Sequence, residues 1–135
     1  KIGAELVVKT VNSISNGKAL VKIQNEAEAI NHAPKIFKET CEIDWNNSAI
    51  QIHNLIRGLS PYPAAFTSIN DKSCKIFKSG ISDDTMGNKL PGEWITDDKT
   101  YLKFKTGNGV LEILELQLEG KKRMKIEDFL RGNSL

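Results

Sequence analysis

Lysines beside aromatic residues are the side chains of this chain with the clearest chemistry. In the run Tyr101-Leu102-Lys103-Phe104-Lys105, strand alternation places Tyr101, Lys103 and Lys105 on one face of the strand. An aromatic ring flanked by two ammonium groups suits the backbone and the unstacked bases of RNA. The alternative interpretation is a solvated strand face on which the tyrosine covers its neighbours.

Three further groups of cations extend this character. The turn after Gly120 carries Lys121-Lys122-Arg123, and Glu119 and Glu127 can offset only part of that charge. Other lysines follow Pro34 or border the first strand-like runs. We therefore predict a polyanion-binding surface drawn from the following residues: Lys35, Lys38, Lys75, Lys78, Tyr101, Lys103, Lys105, Lys121, Lys122 and Arg123.

Motifs for catalysis or metal binding are missing from the sequence. It contains no Gly-x-Ser-x-Gly elbow, no phosphate-binding loop and no metal motif. Cys41 and Cys74, with only His32 and His53 as further ligands, do not make a zinc site, and we interpret them as reduced thiols. We expect no catalytic residue and no metal site in this chain.

Length and composition indicate about one ordinary domain with a mildly basic surface. The chain has 135 residues, of which 39% are hydrophobic and 27% charged, and its formal net charge is +2. It contains no apolar run of about 20 residues, so no transmembrane helix is expected. Its first residues do not have the pattern of a signal peptide.

The first third of the chain gives two different patterns. Residues 2–14 predict an amphipathic helix whose stripe comprises Ile2, Leu6, Val7, Val11 and Ile14. We expect this helix to be poorly packed or docked on a neighbouring copy. Residues 18–47 have weak periodicity and are better interpreted as a linker than as one long loop.

From residue 47 onward the pattern predicts a short helix followed by short strands. Asn47 or Ser48 can cap the helix, whose apolar residues Ile50, Leu55, Ile56 and Leu59 keep helical spacing. The strand-like runs are 65–69, 75–81, 93–96, 101–105 and 110–118, and a helical turn at 126–130 follows them. In the last run the apolar residues change face between Ile113 and Leu114, which requires a bend. This spacing predicts a mainly β fold, a small antiparallel barrel.

Two blocks of sequence resemble the C-terminal domain of the methionyl-tRNA formyltransferase family. They are residues 52–66, with sequence IHNLIRGLSPYPAAF, and residues 117–130, which contain QLEGKKRM and DFL. The chain departs from the family pattern at Tyr62, where the family usually has Trp, and at Ala64, where it often has Gly. The resemblance implies a Greek-key barrel similar to the oligonucleotide-binding fold. It also implies three parts: residues 1–16 as the last helix of a catalytic domain, 17–47 as an interdomain linker, and 48–135 as a tRNA-binding domain.

The same resemblance implies a function for a longer, cytoplasmic enzyme. That enzyme would transfer a formyl group from 10-formyltetrahydrofolate to methionyl initiator tRNA in translation initiation. Its catalytic residues and co-substrate site would lie in an N-terminal domain, and this part would bind the tRNA and hold no cofactor. Two alternatives remain open: the barrel of a related folate-dependent formyltransferase or dehydrogenase with a small substrate, or a free-standing RNA-binding barrel.

Overall fold

The structure is a computed structural model that describes residues 2–23, 25–28, 33–133 and 135. It divides into two compact units, residues 1–34 and 35–135. The first unit contains helix α1 (Ile2–Ser15) and a 3-10 helix (Glu26–Glu28). No residue of α1 is buried, and the aliphatic stripe predicted from the sequence is exposed, from 57% at Val11 to 83% at Ile2. His32 lies outside the described residues.

The second unit is a curled antiparallel sheet with two helices. In chain order it contains a 3-10 helix (Glu39–Cys41), α2 (Ala49–Leu59), β1 (Ala65–Ile69), β2 (Lys72–Ser82), β3 (Trp94–Thr96), β4 (Leu102–Lys105), β5 (Val110–Leu118), β6 (Met124–Lys125) and α3 (Ile126–Leu130). The strand order is β1-β2-β5-β4-β3, and β6 also pairs with β5. Strands β3, β4 and β5 are consecutive neighbours, and β2, which a long connection joins to β3, lies beside β5. This arrangement is a Greek key. The predicted small antiparallel barrel is confirmed as a half-barrel.

Strand β5 bends where the sequence predicts a change of face. Leu111 and Ile113 point into the core before the bend, and Leu116 and Leu118 do so after it. Leu114, which the sequence pattern assigns to the second set, is only half-buried. The pairing of β2 with β5 is irregular at the same level. Because of this bend, one edge of β5 pairs first with β4 and then with β6.

Helix α2 covers the core with a face slightly different from the predicted one. Ser48 caps it through a capping box, in which its hydroxyl accepts from the backbone N–H of Gln51. Ile52 and Ile56 are 1% exposed, whereas Ile50, which the pattern places on the buried face, is 58% exposed. The reason is that helical spacing fits both faces here, and tertiary packing selects between them.

Residues 35–47 belong to the second unit, although their sequence resembles a linker. Ile43 donates its backbone N–H to the carbonyl of Phe66 at 2.9 Å. Trp45 stacks on Phe104 with ring centroids 4.3 Å apart. Its carbonyl accepts from the N–H of Gly107, where a Cβ would lie 1.9 Å from the carbonyl oxygen of Asn46. The second compact unit thus includes these residues, and the division of the chain into a catalytic-domain helix, an interdomain linker and a tRNA-binding domain stays a prediction.

No helix among the described residues is long and apolar enough to cross a membrane. Within the same residues, no group of three His, Cys, Asp or Glu side chains is placed to hold a metal ion.

Candidate nucleic-acid interface

A groove on the outer side of β1 and β2 combines exposed aromatic rings with lysines. Its volume is about 580 Å³, and its lining residues are Ile36, Phe37, Lys38, Cys41, Tyr62, Pro63, Ala64, Phe66, Ser68, Ser73 and Lys75. Strand alternation produces its floor, because Phe66 and Ser68 point outward from β1 while their neighbours are buried. Phe66 is paired with Lys75 across the strands, and Ser68 with Ser73. We call this site the groove.

The two walls of the groove come from segments outside the sheet. One wall is the segment with Phe37 and Lys38, whose carbonyls accept from the backbone N–H groups of Thr40 at 3.2 Å and Cys41 at 2.9 Å. The thiol of Cys41 also donates to the carbonyl of Phe37 at 3.4 Å. The other wall is the turn between α2 and β1, where Ala64 has a φ of +73°. A left-handed backbone is easier for glycine than for alanine. In this turn Tyr62 lies between two prolines and points outward, with 88% of its surface exposed.

The electrostatics of the groove are one-sided. Lys38 and Lys75 line it, and no Asp or Glu is among the described lining residues. The ammonium group of Lys35 lies 5.6 Å from the centre of the Phe37 ring. This arrangement favours an anionic ligand that also has a flat apolar part.

A second, smaller groove continues from Lys75 toward the turn after β5. It has a volume of about 320 Å³ and is lined by Ser73, Lys75, Gln117, Leu118, Glu119 and Gly120. Gln117 donates its side-chain amide to the carbonyl of Lys121 at 3.1 Å, which folds the turn beside Lys75. Lys121 and Lys122 are exposed on this turn and take part in none of the ion pairs found among the described residues.

Arg123, by contrast, is held by its neighbours. It donates two hydrogen bonds to the carboxylate of Glu115, at 2.7 and 2.9 Å, and its guanidinium lies 4.2 Å from the centre of the Phe77 ring. The hydrogen bonds from Arg123 lower the pKa of Glu115, and the charges of Lys78 and Lys125 lower it further. Glu115 is therefore an anion surrounded by cations, and Arg123 closes the outer side of the sheet over Phe77.

The face of β4 that carries Tyr101, Lys103 and Lys105 is occupied by the loop after β2. We call it the β4 face. Lys103 forms an ion pair with Asp84, and Lys105 donates to the carbonyl of Thr85 at 2.8 Å. The hydrogen bond and the charge of Lys103 lower the pKa of Asp84, and Asp84 in turn raises the pKa of Lys103. The ammonium group of Lys103 also lies 5.0 Å from the centre of the Tyr101 ring. Both lysines thus have partners within the fold.

Comparison with known proteins identifies the family of this chain. Residues 35–134 match the model described as formyl transferase, C-terminal domain. The chain belongs to this family. Methionyl-tRNA formyltransferase of Azobacteroides pseudotrichonymphae is 42% identical over 142 residues, which cover 98% of this chain and 44% of that protein. The enzyme of Clostridium perfringens strain 13 is 41% identical over 133 residues, covering 98% of this chain and 42% of its own length. The chain thus spans less than half the length of these relatives.

Solved structures agree on the fold of this formyl transferase C-terminal domain. HypX from Aquifex aeolicus in complex with tetrahydrofolic acid has a TM-score of 0.64 and 17% identity, over 93% of this chain and 22% of that one. A variant of the same protein has a TM-score of 0.65 and 18% identity, over 93% of this chain and 23% of that one. At this identity the likeness concerns the fold alone.

The formyl transferase C-terminal domain thus gathers some predicted site residues and separates others. Lys38 and Lys75 share the groove, Lys35 lies beside it, and Lys121 and Lys122 follow on the adjoining turn. Lys78 and Arg123 instead surround Glu115, and Tyr101, Lys103 and Lys105 lie on the β4 face.

Sequence reasoning missed the aromatic part of the groove. Phe37 and Phe66 are not among the predicted site residues, and the sequence analysis names Tyr62 only as a departure from the family pattern. The available signal was an aromatic residue between two prolines in a polar turn, where burial is hard to achieve.

Proposed function

We propose that this chain is the tRNA-positioning part of a methionyl-tRNA formyltransferase. The full protein would transfer a formyl group from 10-formyltetrahydrofolate to the amino group of methionyl initiator tRNA in the cytoplasm. The observation that carries the proposal is the identity of about 42% to an enzyme of that name over 98% of the chain. The catalytic residues and the co-substrate site belong, in this proposal, to an N-terminal domain.

The geometry supports a binding role in this part of the enzyme. A tRNA carries a negative charge at each phosphate, and a protein must neutralise several of them to hold it. The groove and the turn after β5 present Lys38, Lys75, Lys121 and Lys122 on neighbouring surfaces. Holding the tRNA at a distance from the reacting atoms raises the fraction of complexes in which the methionine amino group is aligned.

A titration of initiator tRNA into the chain at several salt concentrations tests the proposal. We expect weak binding at low salt, with an affinity that falls linearly on a log–log plot as salt increases. In the variant Lys121→Gln/Lys122→Gln the slope should fall by roughly one unit for each phosphate that no longer meets a cation.

The matched control removes the same charge at the other edge of the sheet. Lys99 is exposed, takes part in none of the ion pairs found among the described residues, and lies in the loop after β3, the edge strand opposite β1. Lys99→Gln should leave the slope unchanged, whereas the single variant Lys122→Gln, which removes the same charge, should lower it. No binding of tRNA by the unmodified chain at low salt would contradict the proposal and favour a related enzyme with a small substrate.

A further inference from the structure

We infer that the groove binds an unpaired nucleotide of RNA, with its base against the Tyr62 and Phe37 rings and its phosphates at Lys38 and Lys75. The inference rests on the proposed function, because the proposed function is what identifies the ligand as RNA. It assigns to the groove a ligand, a stretch of single-stranded RNA, that differs from the duplex parts of a tRNA.

The exposure of the aromatic rings is the first argument. Tyr62 is 88% exposed and Phe37 57%, whereas Phe104 and Phe129 in the core are each 1% exposed. Exposed rings on a concave surface are the usual platform for bases, because each base has a flat face that can stack on them. The groove volume of about 580 Å³ falls within the usual range for sites of small ligands, so a single nucleotide fits.

The distribution of charge and hydroxyl groups is the second argument. Lys38 and Lys75 both line the groove together with the rings, and the described lining residues include no carboxylate. A phosphodiester on either side of a stacked base would therefore meet a cation. Ser68 and Ser73, paired across β1 and β2, add hydroxyls that can donate to or accept from the edge of the base.

The shape of the groove favours a single strand over a duplex. In an A-form helix the bases are stacked on each other and present only their edges in the grooves, so their faces are hidden from aromatic side chains. A concave site with rings on its walls cannot use such bases. Loops and unpaired ends of RNA expose the base faces and can enter it.

The test compares a short single-stranded RNA with the blunt-ended duplex that the same strand forms with its complement, both titrated into the chain at low salt. We expect the single strand to bind at least tenfold more tightly than the duplex. Tyr62→Ala should weaken binding of the single strand by roughly fivefold to a hundredfold, the usual effect of removing one stacking ring. Tyr62→Phe should retain the affinity, since it keeps the ring.

Two further variants make the result specific. Tyr62→Trp adds a fluorescent ring in the groove to the two tryptophans of the chain, Trp45 and Trp94. The emission that Tyr62→Trp has in excess of the unmodified chain should be quenched by the single strand and not by the duplex. Leu90→Ala removes another exposed apolar side chain, 68% exposed, and should leave binding unchanged. Because Tyr62 is so exposed, the circular dichroism of Tyr62→Ala should match that of the unmodified chain.

The possible failures are distinguishable. Equal affinity for the two RNAs, or an unchanged affinity in Tyr62→Ala, would overturn this inference while binding of initiator tRNA kept the proposed function in place. Absence of all RNA binding by the unmodified chain would overturn both.

Discussion

The groove and the β4 face contain the same types of side chain but differ in their partners. Both combine lysines with a tyrosine, yet Lys103 and Lys105 on the β4 face bind to the loop after β2. In the groove, Lys38 and Lys75 line an open surface without a carboxylate among the described lining residues. The comparison indicates that the lysines of the groove are more available to a ligand than those of the β4 face, and a strand pattern does not reveal this difference.

The largest expected effect comes from removing the tryptophan that joins the segment of the groove wall to the core. Trp45 belongs to the segment that continues from the groove wall, and it stacks on Phe104 of β4. Its indole N–H also donates to the hydroxyl of Thr67 at 3.0 Å. Trp45→Ala should therefore destabilise the fold by about 3 kcal/mol, because the stacking on Phe104 disappears and the hydroxyl of Thr67 is left unpaired. Chemical denaturation measures this change.

RNA titration of Trp45→Ala, under conditions where the variant remains folded, should also show weaker binding to the groove. Trp94→Ala is the matched control, because Trp94 also contacts Phe104, with centroids 5.9 Å apart, but lies on β3. It should reduce stability by a smaller amount and leave RNA affinity unchanged. Equal effects of the two substitutions on RNA affinity would show that the groove wall does not depend on Trp45.

An intermediate effect is expected from removing the lysines of each surface in turn. Lys38→Gln/Lys75→Gln should lower the slope of the log–log salt plot for RNA binding by roughly two units, since in the proposed complex each lysine neutralises a phosphate. Lys103→Gln/Lys105→Gln removes the same charge from the β4 face and should leave the slope unchanged. The same fall in slope for both double variants would show that the two surfaces are equivalent to RNA.

Much of the fold was predictable from the sequence because its signals are local. The alternation of apolar and polar residues between turn signals predicts the same residue ranges for β1 and β5 as the structure shows. The change of face within β5 indicates its bend. Residues 35–47 give no such signal. They join the fold through backbone pairing of Glu42 with Phe66 and through one tryptophan, and neither contact produces a periodic pattern.

The candidate site was predictable only in part, for a related reason. The lysines of the groove could be named, but the groove combines residues from four separate segments around Phe37, Tyr62, Phe66 and Lys75. These residues are brought together by the pairing of β1 with β2, by the turn before them and by the bridge between Glu42 and Phe66. On the β4 face, the partner of Lys103 is Asp84, in a loop before the preceding strand, and strand alternation contains no information about it.

The smallest expected effect comes from a substitution that makes the β4 face more like the groove. Asp84→Asn keeps the shape of the side chain and removes the charge that pairs with Lys103. The freed ammonium group should raise RNA affinity by about two- to threefold, in the range expected for one exposed charge. An unchanged affinity would indicate that the loop itself, rather than its charge, keeps RNA from the β4 face.

The pH dependence of stability supplies a second measurement on the same variant. The pKa of Asp84 lies below its ordinary value of 3.8, so the ion pair stabilises the fold above that pH and ceases to do so as the pH falls through the lowered value. The pKa of Lys103 lies above 10.5, so the same stabilisation disappears as the pH rises through the raised value. The melting temperature of Asp84→Asn should accordingly lie slightly below that of the unmodified chain near neutral pH, and the difference should shrink at both extremes. A difference that persisted in strong acid, where the carboxyl group of Asp84 is neutral, would mean that the ion pair with Lys103 is not its cause.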